Sequence, residues 1–176
     1  MEIAWGKKVS RTFVDRAIWI QEELGLHPTQ GVSQLMACMG FESGGTFSAS
    51  IRNAAGSGAI GLIQFMPKTA IGLGTTTDKL SKMTPEDQLN YVYKYFRPYK
   101  GRLKNLGDIY MAILWPGAIG KPDTHVLWDK ESRPTTYLQN RGLDVNKDNV
   151  ITRGECLVHI NSWLTRGLLP ENKLVI

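Results

Sequence analysis

The chain has 176 residues, of which 42% are hydrophobic, and it carries a formal net charge of +5. This length is sufficient for one domain with a substantial core, so neither disulfides nor a metal ion is needed for stability. The positive charge favours an anionic partner or serves solubility alone. The basic residues are dispersed and lack interleaved aromatic platforms, so we expect no nucleic-acid partner.

No segment approaches the ~20 apolar residues of a membrane span, and residues 1–15 lack the apolar run of a signal peptide. We therefore expect a protein made in the cytoplasm, without membrane insertion. The two cysteines, Cys38 and Cys156, lie in helical patterns that suit a small buried side chain. Free thiols are favoured over a disulfide between them.

Two helices are predicted in the first quarter of the chain. Ser10 is placed to cap a helix that Gly25 ends, with apolar residues at a period of 3.6 between them. A second helix is expected to start near Thr29 and to continue to Glu42. Its apolar positions are Val32, Leu35, Met36 and Met39.

Glu42 ends the second predicted helix, directly before Ser43 and two glycines. Its neighbours one and two helical turns earlier are apolar. Desolvation by such neighbours would raise the pKa of the carboxyl group and keep a proton available near neutral pH. For a Glu taken by itself, a solvated helix end is the simpler interpretation.

Further helices are predicted downstream, and no series of alternating strands is present. Thr84 and Pro85 form a strong helix start, and Pro98 ends that helix. Two more apolar helices are expected over about 106–114 and 152–164. The fold class is therefore predicted to be mainly α, with little or no sheet.

Two long irregular stretches interrupt the helical pattern, over 44–60 and 116–135. Loops of this length inside a compact domain usually serve function. We expect the two stretches together to form the walls of a cleft.

Residues 144–155 read DVNKDNVITRGE, which matches the ligand spacing of an EF-hand loop. Asn149 stands where Gly is usual, but Asn tolerates a left-handed turn better than most residues. The loop is predicted either to hold a structural Ca²⁺ or to keep its shape through its own hydrogen bonds. The expected ligands are Asp144, Asn146, Asp148, the carbonyl of Val150, Thr152 and Glu155.

The segment from Glu42 to Ala70 carries E-S-G-G-x-F and then G-x-G-A-I-G-L-I-Q-F-M-P-x-T-A. This pattern resembles the lytic transglycosylase family of the lysozyme-like superfamily. The resemblance implies a single lysozyme-like catalytic domain over 1–176 that includes the EF-hand-like loop at 144–155. It implies that Glu42 is the catalytic acid and that substrate is bound by Ser43, Ser57, Gly58, Gly61 and Gln64.

The chemistry of these residues agrees with the implied roles. Gly58 and Gly61 allow the backbone to approach a ligand closely, and Gln64 offers both a donor and an acceptor to a sugar. Without a ligand, the Gln64 amide is expected to bond the backbone of the turn.

The second half of the chain departs from the family pattern. Where the family carries A-Y-N-A-G, this chain reads Y-M-A-I-L-W-P-G-A-I, which puts Ala112 at the position of the family's Tyr. Tyr110 and Trp115 are the displaced candidates for substrate contact. Trp115 could stack on a sugar, although an aromatic residue that ends an apolar helix is more often part of the core.

After Glu42, the next acidic residue is Asp78. Ordinary glycosidases use two carboxylates, so this interval favours a mechanism with one. We predict cleavage of the β-1,4 bond between N-acetylmuramic acid and N-acetylglucosamine in peptidoglycan, with a 1,6-anhydro product and no catalytic cofactor. The alternatives are a muramidase (lysozyme) that uses a single Glu for hydrolysis, and a non-catalytic peptidoglycan- or calcium-binding module.

The three histidines, His27, His125 and His159, show neither metal-ligand nor triad spacing and are expected to be surface or packed residues. The predicted protein is a monomer that acts on glycan strands. We expect either a bacteriophage endolysin released by a holin or a virion enzyme, acting on the cell wall in the periplasm. A bacterial protein exported by a non-classical route also fits.

Overall fold

The computed structural model describes residues 1–176 and is built mainly from helices. The predicted fold class, mainly α with little sheet, is confirmed. The eight helices are α1 (Arg11–Leu24), α2 (Gly31–Glu42), α3 (Pro67–Gly72), α4 (Thr77–Ser81), α5 (Pro85–Phe96), α6 (Leu106–Leu114), α7 (Pro134–Gln139) and α8 (Arg153–Gly167).

Four short strands form two separate antiparallel pairs. They are β1 (Glu2–Ile3), β2 (Val126–Asp129), β3 (Val150–Thr152) and β4 (Leu174–Val175). β1 pairs with β4 near the two chain ends, and β2 pairs with β3. None of the helices is long and apolar enough to span a lipid bilayer.

Local capping chemistry sets most helix ends where the sequence predicts them. The Ser10 hydroxyl accepts a hydrogen bond from the Phe13 amide at 3.0 Å, and Gly25 ends α1 with a left-handed φ of 64°. Thr84 caps α5 in the same way. α2 begins later than the predicted start near Thr29, because residues 28–30 form a turn.

α2 is the central helix of the core, and its residues 31–40 are all buried. It packs against α1, α6 and α8, and one continuous cluster of 39 buried residues surrounds it. Cys38 in α2 and Cys156 in α8 are both buried free thiols, which confirms the prediction that they do not pair.

A buried arginine ties α8 to α6. The Arg153 guanidinium donates to the Asp108 carboxylate at 2.8 Å and to the Ala118 carbonyl at 3.2 Å. Both charged side chains are almost inaccessible to water. Loss of Arg153 would leave the buried Asp108 carboxylate without its ionic partner, so the pair helps to fix the relative positions of the two helices.

A buried glutamine holds the irregular segment that follows α2. Gln88 in α5 accepts a hydrogen bond from the Leu62 amide at 2.8 Å. Its amide nitrogen donates to the carbonyls of Ala49 and Leu80, each at 3.0 Å. Because these contacts join the segment to two helices, its conformation is set by the core.

Candidate active site

A cleft of about 670 Å³ opens at the C-terminal end of α2, a volume typical of ligand sites. Its residues come from the end of α2, the 53–66 segment, α6, the 139–143 segment and α8. They are Phe41, Glu42, Asn53, Ser57, Ala59, Ile63, Gln64, Met66, Tyr110, Ile113, Leu114, Gln139, Asn140, Gly142, Leu143 and His159.

Glu42 is the only carboxylate among the residues that line the cleft. The side chain is half-buried, and no protein group donates a hydrogen bond to it. Burial raises the pKa of Glu42 from 4.5 to about 7. A substantial fraction of the carboxyl groups therefore keeps a proton at neutral pH, as a general acid requires.

Tyr110 forms part of the cleft beside Glu42. Its ring meets the ring of Phe41 edge to face, with centroids 5.7 Å apart. Burial, and then the charge of Glu42, raises the pKa of Tyr110. The phenol therefore stays protonated and can only offer a neutral hydroxyl to a ligand.

Gln64 lines the cleft from a turn with an unusual backbone. Its φ of 53° lies in the left-handed region, which a residue other than Gly adopts only when its surroundings hold it there. The side-chain nitrogen donates to the carbonyls of Ile51 at 3.2 Å and Gly61 at 3.1 Å, as expected without a ligand. These bonds use the amide nitrogen, so the amide oxygen is available as an acceptor.

Three residues that the resemblance assigned to substrate binding, Ser43, Gly58 and Gly61, lie outside the lining of the cleft. Ser43 is buried, and its hydroxyl accepts a hydrogen bond from the Phe47 amide at 3.0 Å. At Gly61 a Cβ would lie 2.2 Å from the Gln88 side chain, and φ is +81°. Gly58 has the same φ and packs against Pro67. All three shape the segment that forms the cleft.

Trp115 also lies away from the cleft. Its ring packs edge to face on Trp128, with centroids 5.3 Å apart, and the Arg133 guanidinium lies over it. The indole is thus held between α6, β2 and the start of α7. The expectation that Trp115 contacts substrate is not supported, and the core alternative describes it better.

The second wall of the cleft differs from the sequence-based expectation. Residues 53–59 of the first irregular stretch do line it, with Ser57 exposed at the rim. The 116–135 stretch does not contribute, because Arg153 and the β2–β3 pairing hold it against other parts of the core. The second wall is formed instead by residues 139–143 and by His159. No sequence motif marks these residues.

The 144–155 loop has the shape that its sequence predicts. Asn149 adopts a left-handed φ of 67° at the position where EF-hand loops carry Gly. Carboxylate oxygens of Asp144, Asp148 and Glu155 lie within 4.8 Å of one another. Two Ca–O bonds of about 2.3–2.6 Å span such a separation, so the donors fit a hard cation such as Ca²⁺.

The other predicted ligands of the loop take part in its own hydrogen bonds. The Asn146 amide oxygen accepts from the Asp148 amide, and the Val150 amide donates to the Asp148 carboxylate. Thr152 and Glu155 form a reciprocal capping box at the start of α8. This network is what the second interpretation of the loop predicted, and it leaves the three carboxylates clustered.

No protein-family model matches the chain, and no curated protein matches it either. The functional assignment therefore depends on the sequence motif and on the geometry of the cleft.

Proposed function

We propose that the protein cleaves the β-1,4 glycosidic bond between N-acetylmuramic acid and N-acetylglucosamine in peptidoglycan, with Glu42 as both acid and base. The observation that carries the proposal is a single carboxylate in the cleft, with its pKa raised to about 7 by burial. The resemblance of residues 42–70 to lytic transglycosylases supplies the substrate.

In the first step, protonated Glu42 donates its proton to the glycosidic oxygen. The bond between that oxygen and C1 of the muramic acid residue breaks, and the N-acetylglucosamine residue leaves with a free hydroxyl group. The 2-acetamido carbonyl oxygen of the muramic acid residue bonds to C1 and carries the positive charge. This neighbouring group replaces the second carboxylate that most glycosidases use.

In the second step, the ionised Glu42 acts as a base. It accepts the proton of the C6 hydroxyl while the C6 oxygen attacks C1 and displaces the acetamido oxygen. The product is a 1,6-anhydro sugar, no water is consumed, and Glu42 is protonated again. If water attacks C1 instead, the product has a reducing end and the enzyme is a muramidase.

We favour the intramolecular attack, because half of the residues that line the cleft are apolar. Phe41, Ile63, Met66, Ile113 and Leu114 all line it. An apolar lining disfavours bound water, whereas the C6 hydroxyl is already attached to the reacting sugar and needs no separate binding.

The polar groups of the cleft can orient the glycan. The Gln64 amide oxygen can accept a hydrogen bond from a hydroxyl or acetamido N–H group, and the neutral Tyr110 hydroxyl can act as donor or acceptor. Both are positioning groups here, and neither exchanges a proton with substrate.

The test compares wild type, Glu42→Gln and the control Glu22→Gln on purified peptidoglycan. Glu22 is an exposed acid on α1. Loss of a general acid–base group costs about 10²–10⁴-fold in rate. Glu42→Gln should therefore no longer clear a peptidoglycan suspension, whereas Glu22→Gln should clear it as wild type does. Retained activity in Glu42→Gln would refute the proposal.

Mass spectrometry of the released muropeptides then separates the two outcomes of the second step. A product lighter by one water than the reducing sugar identifies the transglycosylase, and a reducing product identifies the muramidase. Binding to peptidoglycan without any cleavage by wild type would instead identify a non-catalytic module.

We also propose that the 144–155 loop binds Ca²⁺ as a structural ion. The proximity of the Asp144, Asp148 and Glu155 oxygens supports this proposal. Glycoside cleavage itself needs no metal, so the ion would stabilise the start of α8 and leave the chemistry of Glu42 unchanged.

A further inference from the structure

A second groove continues the cleft along α8 and the 144–155 loop. It has a volume of about 590 Å³ and shares Gly142 and His159 with the cleft. We call it the side groove. Its other residues include Tyr137, Arg141, Val145, Lys147 and Val158.

The side groove presents unpaired positive charge. Arg141 and Lys147 are both exposed, and neither forms an ion pair with an acidic side chain. The one acidic residue that lines the groove, Asp144, is buried, and its carboxylate accepts from the Tyr137 hydroxyl at 2.6 Å and the Asn149 amide at 2.9 Å. The cationic groups are therefore free to bind an anion.

Small apolar side chains lie beside these charges. Val145 is 52% exposed and Val158 is 48% exposed, and both line the same groove. A ligand that suits the side groove therefore combines carboxylates with short aliphatic groups. If part of the same ligand lies in the cleft, the connection between its two parts passes close to Gly142 and His159.

We infer that the side groove binds the peptide attached to the lactyl group of N-acetylmuramic acid. This inference rests on the proposed function, because it places a peptidoglycan strand in the cleft. The peptide branches from the sugar next to the scissile bond and carries free carboxylates and alanine methyl groups. Its carboxylates complement Arg141 and Lys147, and its methyl groups suit Val145 and Val158.

Peptide binding in the side groove would make the enzyme selective for glycan that carries peptides. Glycan stripped of its peptides fills the cleft but leaves the side groove empty, so it loses the interactions with Arg141 and Lys147. We expect these interactions to lower KM on intact strands, while the chemistry at Glu42 is the same for both substrates.

The test uses the double variant Arg141→Gln/Lys147→Gln, with soluble glycan strands before and after removal of the peptides by an amidase. We expect kcat/KM on peptide-bearing strands to fall about tenfold, mainly through KM, and kcat/KM on stripped strands to stay at the wild-type value. The control Lys8→Gln/Lys79→Gln removes two exposed charges outside both cavities and should behave as wild type on both substrates.

An equal fall on both substrates, or no fall on either, would overturn the inference while the proposed function stands. Circular dichroism and the melting temperature of each variant show whether the fold is retained. If wild type cleaves neither substrate, the proposed function fails, and the inference fails with it.

Discussion

The cleft and the 144–155 loop place carboxylates in opposite environments. Glu42 accepts no hydrogen bond from the protein, and burial raises its pKa to about 7. Asp144 is also buried by its neighbours, but the Tyr137 hydroxyl and backbone amides bond to it and lower its pKa. Burial alone therefore does not decide the charge of an acid, since the hydrogen bonds that accompany burial reverse its effect.

The two environments suit different tasks. A carboxyl group without hydrogen-bond donors holds its proton near neutral pH and can give it to a glycosidic oxygen. A carboxylate that accepts several hydrogen bonds stays ionised and can bind a cation with its neighbours.

The largest expected effect is on the pH dependence of cleavage. Because protonated Glu42 starts the proposed reaction, kcat/KM should fall about tenfold per pH unit above the pKa of about 7, and so about a hundredfold by two units above it. The measurement is kcat/KM on soluble glycan strands at constant ionic strength. A fall centred near 4.5, the ordinary value, would mean that the carboxyl group is solvated during the reaction.

The second effect concerns Ca²⁺ and the loop. Calcium at a hundredfold excess over its Kd should raise the melting temperature by roughly 5–10 °C, and EDTA should reverse the increase. Asp148→Asn should remove most of this increase in melting temperature. The control Asp78→Asn replaces an exposed acid on α4 and should show the same increase as wild type. An unchanged melting temperature in calcium and in EDTA would show that the loop is held by its own hydrogen bonds.

The smallest effect is on stability and follows from the same raised pKa. The folded state favours neutral Glu42, so its stabilising contribution is complete below about pH 4.5 and is lost as the pH rises through about 7. Above that pH, Glu42→Gln should be more stable than wild type by about 1–3 kcal/mol, and the difference should disappear in acid. Denaturant unfolding at both pH values measures it.

Glu22→Gln is the matched control for this comparison. Because the Glu22 side chain is exposed, its replacement should leave the free energy of unfolding unchanged at both pH values. A Glu42→Gln protein that is less stable than wild type at high pH would show that the ionised carboxylate makes favourable contacts in the folded state. Such a result would remove the contrast between the cleft and the loop.

The sequence predicted features that depend on neighbours along the chain. Ser10, Gly25 and Thr84 mark helix ends because a cap needs only residues three or four positions away. The left-handed Asn149 and the apolar surroundings of Glu42 are also local, since they follow from loop spacing and from one helix face.

The sequence did not predict features that depend on distant contacts. Gly61 looks like a ligand-contacting residue until Gln88, from a later helix, is found to occupy the space where a side chain would lie. His159 reaches the cleft only because α8 packs against α2, and no motif marks it. The pairing of β2 with β3 removes 116–135 from the cleft, and it too joins distant segments.

The reactivity of the two buried thiols, Cys38 and Cys156, reports on local opening of the core around them. Cys38 lies one helical turn before Glu42, and Cys156 lies on α8 close to Tyr110. Thiol reagents react only when the packing around these residues opens, so their labelling rates measure the free energy of that opening without an engineered probe. A ligand that fills the cleft and holds α2 against α8 should slow both reactions.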